Sequence, residues 1–561
     1  MLNLKPRNIN LQYVNEEYDE NGVLTKYSLK YSETFNFGYD CVDDIGANDP
    51  NRKAMVWVGS KGDEKIFTFS EMKTLSDKTC NYLTQLGIKK GDFVIVAVKR
   101  HWQFWPIATA LCKMGAVIVP VTYMLKAHDA EYRVHASGAK AVICTVENEV
   151  AEVFDAIANA SPHLTIKVSV NGSRADWYDY DVEMPKSSSD WTRVQTNVFE
   201  PTLMYFSSGT TGYPKMVLHD HRYALGHLLT AKHWHCVNPE GLHFTIADTG
   251  WGKAVWGKFY GQWLMEACVF TYDFDSFVPK EILSYIEKYE ITTLCCPPTM
   301  YRFLLKEDFS RINLNSLEYC TTAGEALNPD VFKEWLKRTG VVIMEGFGQT
   351  ETTVTVCNLK NTVPIPGSLG KPSPQYEVDL LNAYGASCRP GETGELCMRY
   401  EPWHTEGLMM GYYLDEGKTK EVMYGGWYHT GDTAWRNEDG YYFYIGRNDD
   451  IIKSSGYRIG PFEIESVLIQ HPAVLECAIT GVPDVNGDRG FLVKATVVLN
   501  NGYVPSNGLI KELQNYVKNE TAPYKYPRII DFVNILPKTI NGKVQRAEIR
   551  KVDEMAYAKM E

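Results

Sequence analysis

Thr68-Phe-Ser-Glu-Met-Lys-Thr-Leu-Ser-Asp-Lys-Thr-Cys-Asn-Tyr-Leu-Thr-Gln-Leu-Gly87, followed after five intervening residues by Phe93-Val-Ile-Val-Ala-Val98, sets the class of fold. Thr68 and Glu71 have the spacing of a capping box, in which the threonine accepts from an orphan amide and the glutamate reaches back to the cap. Met72, Leu75, Thr79, Tyr82, Leu83 and Leu86 recur on one helical face, and Gly87 ends the helix. The β-branched run that follows is apolar on both faces, as a strand buried inside a parallel sheet requires. Similar runs stand at Ala116-Val-Ile-Val119, Ala141-Val-Ile-Cys144 and Ile291-Thr-Thr-Leu294. This alternation predicts an α/β fold of layered sheets and helices.

Outward from that unit, the whole chain has 561 residues, too many for one compact core. Its 44% hydrophobic, 22% charged and 12% aromatic content excludes a disordered or collagen-like chain. A net charge of −12 repels phosphate backbones, so no nucleic-acid partner is expected and any anionic ligand must be held locally. The start, Met1-Leu-Asn-Leu-Lys-Pro-Arg7, lacks the apolar core of a secretory leader. No apolar run approaches the roughly 20 residues of a membrane span. A cytoplasmic protein is expected. Thirteen cysteines without a Cys-x-x-Cys pair read as reduced and mostly buried.

Charge also suggests a boundary. Residues 449–561 carry 14 basic and 14 acidic side chains, whereas residues 1–448 carry 43 against 55. Within the tail, residues 511–551 hold 9 basic against 4 acidic groups, a balance that attracts phosphates but also suits an ordinary solvated face. A large domain at 1–448 and a small α+β domain at 449–561 are expected.

The chemistry is concentrated in Tyr205-Phe-Ser-Ser-Gly-Thr-Thr-Gly-Tyr-Pro-Lys215. Gly209 and Gly212 let the backbone approach a ligand; Ser208, Thr210 and Thr211 can donate to phosphate oxygens; Lys215 adds a point charge. No Gly-Lys-Ser/Thr follows at Walker spacing, so a P-loop kinase or GTPase is disfavoured. Taken alone, such a run is more often a surface turn.

The run resembles the signature loop of the adenylate-forming enzymes, which include acyl-CoA synthetases, luciferases and peptide-synthetase adenylation domains. Further matching segments follow in order: Thr322-Ala-Gly-Glu-Ala-Leu-Asn-Pro329, Glu345-Gly-Phe-Gly-Gln-Thr-Glu351, Tyr428-His-Thr-Gly-Asp432, Gly446-Arg-Asn-Asp-Asp450 with its continuation to Glu465, and Pro537-Lys-Thr-Ile-Asn-Gly-Lys-Val-Gln-Arg546. Ser454-Ser-Gly-Tyr-Arg-Ile-Gly-Pro461 and Ala522-Pro-Tyr-Lys-Tyr-Pro527 are most similar to the medium-chain acyl-CoA synthetase branch. Two positions depart from the common pattern: Phe347 stands where many relatives have tyrosine, and Ser207 where threonine is commoner.

The resemblance implies an AMP-forming acid:CoA ligase that uses ATP and CoA as co-substrates and Mg²⁺ as cofactor. It implies that the glycine-rich loop, with Lys215, cradles the phosphates, and that Gly324, Glu325 and Ala326 face the adenine. Glu345, Gly346, Phe347, Gly348, Gln349 and Thr350 continue the nucleotide site, with Asp432 and Arg447 on the ribose and Arg458 beside them. Glu351 is a hard oxygen ligand for the metal, with Thr210. Lys543 neutralises the α-phosphate during adenylation, and Asp449 is the pivot about which the small domain turns between half-reactions. CoA is expected along Ser455, Gly456 and Tyr457, with Arg489, Lys518, Tyr526, Pro527 and Arg528 towards its phosphates and adenine. The acyl pocket is expected near Trp251, Lys253, Trp256 and Cys296, and its bulky indoles favour short- to medium-chain, including branched, fatty acids. Core packing accounts for Trp256 equally well.

Two alternatives stay open within enzymology: an aromatic acid:CoA ligase, and an adenylating enzyme with a non-CoA acceptor. A non-catalytic nucleotide-binding protein is disfavoured by the joint presence of Lys215, Glu351, Asp432, Arg447 and Lys543. A homo-oligomer and regulation by acetylation of Lys543 are compatible with the sequence, which writes neither.

Overall fold

A computed structural model describes residues 5–147, 149–207, 213–402, 404–454, 457–484, 490–539 and 543–557. The chain packs as two compact units. Of the described residues, the larger takes those in 5–207, 214–377 and 399–426, and the smaller Tyr213 and those in 378–398 and 427–557.

Two extended sheets build the larger unit. One has eight strands, with Phe93–Ala97 at its centre between Val117–Pro120 and Ala141–Thr145, all parallel. Pro201–Ser207 joins parallel to Val117–Pro120, and Lys215–Asp220 returns antiparallel beside it. The other sheet has nine strands, parallel from Lys53–Gly59 through Ile343–Phe347 and closed by antiparallel strands at both edges. The helix opened by Thr68 runs from Phe69 to Gln85 with both capping-box bonds made, and Gly87, at φ +100°, turns the chain back to the strand at Phe93.

Strand period two explains the layering. Val94 and Val96 enter one apolar cluster, while Ile95 and Ala97 enter another on the opposite face. The first cluster takes side chains from both sheets, such as Trp57 and Leu203, and encloses Trp105, Trp234 and Trp263. A further cluster covers the second sheet with the helices Pro279–Lys288 and Pro329–Thr339. The fold is therefore helix and sheet in alternating layers, as the opening stretch predicts.

The smaller unit holds the antiparallel strands Val378–Leu381, Thr393–Arg399, Trp427–Arg436 and Tyr442–Arg447. It also holds a three-stranded sheet, Val474–Pro483, Phe491–Leu499 and Ile529–Phe532, covered by the helices Pro461–Leu468 and Asn507–Glu520. Leu468, Ile479, Ala495 and Leu513 fill the space between them.

All thirteen cysteines are free and twelve are buried, Cys236 being partly exposed, in keeping with the reduced reading. Among the described residues, no helix is long and apolar enough to cross a membrane.

Candidate active site

In the larger unit, the antiparallel pair Pro201–Ser207 and Lys215–Asp220 sets Ser207 opposite Lys215, so the glycine-rich run joins two paired strand ends. Ser208, Gly209, Thr210, Thr211 and Gly212 themselves lie outside the described residues.

Lys215 Nζ stands 3.4 Å from the Tyr412 hydroxyl and 4.9 Å from that ring's centre. The same hydroxyl donates to Glu351 Oε1 at 3.0 Å. A cation and a carboxylate are thus held on one phenol, a link that local sequence patterns do not reveal. The Glu351 side chain is almost fully buried, and its second oxygen makes no hydrogen bond among the described residues. That oxygen suits a hard divalent cation such as Mg²⁺.

Neighbouring backbone is fixed from two sides. Met409 donates its amide to the Glu351 carbonyl at 2.7 Å, and His219 Nε2 donates to the Thr350 carbonyl at 2.8 Å. The His219 ring stacks on Tyr223, 3.7 Å between centres. Burial depresses its pKa to about 3, so the imidazole is neutral and its donor role is set by the Thr350 carbonyl.

The two motifs at 322–329 and 345–351 are tied together by Glu345. This side chain is buried, accepts the Leu327 amide at 2.9 Å, and has its pKa pushed up to about 8 by burial, which that hydrogen bond only partly offsets. Gly324 turns at φ +99°, while Glu325 stays exposed and accepts from the Thr299 hydroxyl at 2.9 Å. Lys253, a charge without an evident partner in the sequence, donates to the Ala323 carbonyl at 2.8 Å in the same turn.

The protonated carboxyl of Glu345 has a testable consequence. Glu345→Gln keeps an acceptor for Leu327, whereas Glu345→Ala strands that amide and is expected to cost about 2 kcal/mol by denaturant unfolding. Because the folded pKa is raised, the folded state binds a proton that the unfolded state lacks between about 4.5 and 8. This group's contribution is present at low pH and lost as pH rises. Relative to the parent, Glu345→Gln should therefore gain on the order of 1 kcal/mol per pH unit from pH 6 to 8.

Trp256 donates its indole N–H to the Tyr223 hydroxyl at 3.0 Å and lies against Gly348, where an added Cβ would fall 2.3 Å from Trp256 Cη2. Gly346 and Gly348 thus serve close packing, Gly346 against Trp234. Phe347 accepts the Thr355 amide at 2.8 Å through its carbonyl. Gln349 donates its amide to the Thr352 hydroxyl at 3.0 Å. The Trp251 indole N–H is buried without a partner among the described residues, an open donor at the start of the helix Gly252–Lys258. Trp256 and Cys296 belong to different apolar clusters, Cys296 with Tyr301 and Leu304 in the one over the second sheet.

In the smaller unit, Asp432 and Arg447 are paired across antiparallel strands. Asp432 is buried, accepts from the Tyr444 hydroxyl at 2.9 Å, and follows Gly431 at φ +72°. Tyr444, which no sequence motif marks, thereby orients one carboxylate oxygen. Arg447 Nε lies 3.7 Å from Asp449 Oδ1.

Lys543 is exposed in a turn whose base is pinned: Thr539 donates its amide to the Lys543 carbonyl at 2.7 Å, and the Thr539 hydroxyl accepts the Lys543 amide at 3.1 Å. Lys538 pairs with Glu476 at 2.6 Å on one flank. On the other, Arg546 makes a two-pronged pair with Glu465, 2.7 Å to each oxygen, and reaches Asp450 at 3.6 Å. Arg550 pairs with Asp450 at 2.6 Å. The residue next to Asp449 is thus bonded to the helix that follows the Lys543 turn.

Tyr457 stacks on Tyr524 with centres 3.9 Å apart and planes 11° from parallel. Lys518 and Arg528 lie over the Tyr526 ring, at 4.1 and 4.5 Å, and Pro527 is buried beside it. Basic and aromatic groups are therefore brought together. Ser455, Gly456, Arg489 and the Arg458 side chain fall outside what is described.

A family model described as "AMP-binding enzyme" matches residues 42–413, and one described as "AMP-binding enzyme C-terminal domain" matches residues 463–543. The human mitochondrial acyl-coenzyme A synthetase ACSM3 is 38% identical over 536 residues, covering 94% of this chain and 91% of that protein. Among solved structures, an anthranilate CoA ligase in complex with anthranoyl-AMP superposes with a TM-score of 0.85 at 29% identity, covering 94% of this chain and 99% of that one. A benzoate CoA ligase from Burkholderia xenovorans superposes with a TM-score of 0.80 at 25% identity, covering 92% and 100%. With its motifs in order and its length covered almost throughout, the chain belongs to the AMP-binding enzyme family and, within it, to the acyl-coenzyme A synthetases, which are AMP-forming acid–thiol ligases.

Proposed function

We propose that this enzyme activates short- to medium-chain, including branched, carboxylic acids. The observation that carries the reading is Trp256, whose indole is fixed by Tyr223 and pressed against Gly348, so that the motif wall has no room to recede. The acid's oxygen attacks the α-phosphorus of ATP and the bond to pyrophosphate breaks. The CoA thiol then attacks the acyl carbon, AMP leaves and the thiol proton passes to solvent.

In this reading Lys215 and the glycine-rich loop hold the phosphates, and Gly324, Glu325 and Ala326 meet the adenine. Asp432 and Arg447 take the ribose, and Thr350 donates to the reacting phosphate or carboxylate. Glu351, with its uncommitted oxygen, and Thr210 would hold Mg²⁺, which supplies charge neutralisation along the triphosphate when bound. Lys543 stabilises the charge that builds on the α-phosphate. Tyr457, Lys518, Tyr526, Pro527 and Arg528 receive CoA, where flat rings suit an adenine and the cations its phosphates.

We place the domain boundary at 448/449 with Asp449 as hinge. The bonds from Arg546 and Arg550 to Asp450 support this, because they couple the hinge to the Lys543 turn. Free cysteines suit a reducing compartment, and we place the enzyme in the cytoplasm; the human relative is named mitochondrial, and cell fractionation decides between them.

Pyrophosphate release measured with acids from acetate to decanoate, branched acids, benzoate and anthranilate tests the acid class. A maximum at four to eight carbons is expected; preference for the aromatic acids, which the anthranilate and benzoate ligases act on by name, would replace this reading. Trp256→Leu should raise the kcat/KM ratio of longer over shorter acids about tenfold or more, since one methylene in an apolar pocket is worth about 1–3 kcal/mol. An unchanged ratio would return Trp256 to core packing.

A further inference from the structure

In the smaller unit, the strand Thr393–Arg399 alternates its side chains between faces, so Glu395 and Cys397 project together. The neighbouring strand Trp427–Arg436 sets His429 against both. His429 Nδ1 lies 3.0 Å from Glu395 Oε2 and 3.4 Å from Cys397 Sγ, and the three donor atoms fall within 4.8 Å of one another.

Tetrahedral zinc, with sulfur at about 2.3 Å and nitrogen or oxygen at about 2.0–2.1 Å, separates its sulfur and nitrogen ligands by about 3.6 Å and its nitrogen and oxygen ligands by about 3.3 Å. The two distances from His429 Nδ1 already stand near that spacing, and the sulfur and the carboxylate oxygen lie within 4.8 Å of each other. Cys397 is buried, while the side chains of His429 and Glu395 are 12% and 23% exposed. A cation among them would meet water on one side only. The second oxygen of Glu395 accepts the Gly431 amide at 3.0 Å, which orients the carboxylate as outer hydrogen bonds orient metal ligands.

We propose that Glu395, Cys397 and His429 form a site for one divalent cation of the zinc class, with water as fourth ligand. A thiolate and an imidazole select zinc-like ions over Mg²⁺, so the site differs in kind from the oxygen donors proposed around the triphosphate. On binding, the Cys397 thiol proton leaves to solvent and the sulfur–metal bond takes its place. Through the Glu395–Gly431 bond the cation would also brace the residue preceding Asp432.

The test uses the full chain, freed of metal by chelator and without ATP. Co²⁺ is titrated while the thiolate-to-cobalt charge-transfer and tetrahedral ligand-field bands are recorded, and Zn²⁺ is measured by equilibrium dialysis. One cation per chain and both bands are expected. Cys397→Ser should lose the charge-transfer band, and Cys397→Ser and His429→Ala should each weaken Zn²⁺ binding at least about tenfold. Glu395→Gln, which preserves the size of the side chain and an acceptor for Gly431, gives a further variant should either of those fail to fold, with the same loss expected. Absence of the bands in the parent, or parent-like Zn²⁺ affinity in the folded variants, would overturn the proposal.

Discussion

Lys543→Ala is expected to lower acyl-adenylate formation by about 10²–10³-fold, the usual cost of removing one donor aimed at developing charge. Thioester formation from preformed acyl adenylate and CoA should change less than about threefold, because the proposed turn of the small domain carries Lys543 away from the phosphate before the thiol attacks. The turn's base is held by Thr539, Lys538 and Arg546, all of which remain, so the fold should survive the change. Pyrophosphate release and thioester formation, assayed separately on the same preparation, check the division. Equal loss in both would mean that Lys543 serves a state common to the two half-reactions and would remove the basis for a hinge at Asp449.

Glu351→Gln is the second large effect. Glutamine retains an oxygen that can accept from Tyr412, so the link to Lys215 persists while the negative charge disappears. Adenylation should fall about 10²-fold or more, and the Mg²⁺ concentration for half-maximal rate should rise at least tenfold, since a neutral amide is a poor ligand for a hard cation. Tyr412→Phe separates the positioning role from the charge: it should reduce the rate about tenfold without moving the Mg²⁺ requirement. A Glu351→Gln enzyme with an unaltered Mg²⁺ profile would place the metal elsewhere.

What could be read from the chain alone follows from where the information is local. The capping box at Thr68 and the positive-φ stop at Gly87 are written within one helix, and both are present. The run Val94 to Ala97 announces a strand buried on both faces because each of its residues must enter one of two apolar layers. Other features depend on partners far away in sequence. Tyr412 reaches Lys215 across 197 residues and Glu351 across 61, and nothing around Gly411-Tyr412, a two-residue strand, marks it. His219 and Tyr444 escape notice for the same reason, since each acts by touching a motif rather than by belonging to one. Motif membership in turn overstates direct contact: Glu345 stands in a nucleotide motif, yet its buried carboxyl fastens the Leu327 amide.

The most direct test of the account is acid-dependent exchange of labelled pyrophosphate into ATP, measured without CoA and followed by addition of CoA. Exchange should occur with an accepted acid before CoA is present, and CoA should then yield thioester and AMP in equal amounts. Formation of ADP and phosphate, or exchange that requires CoA from the start, would contradict an acyl-adenylate route.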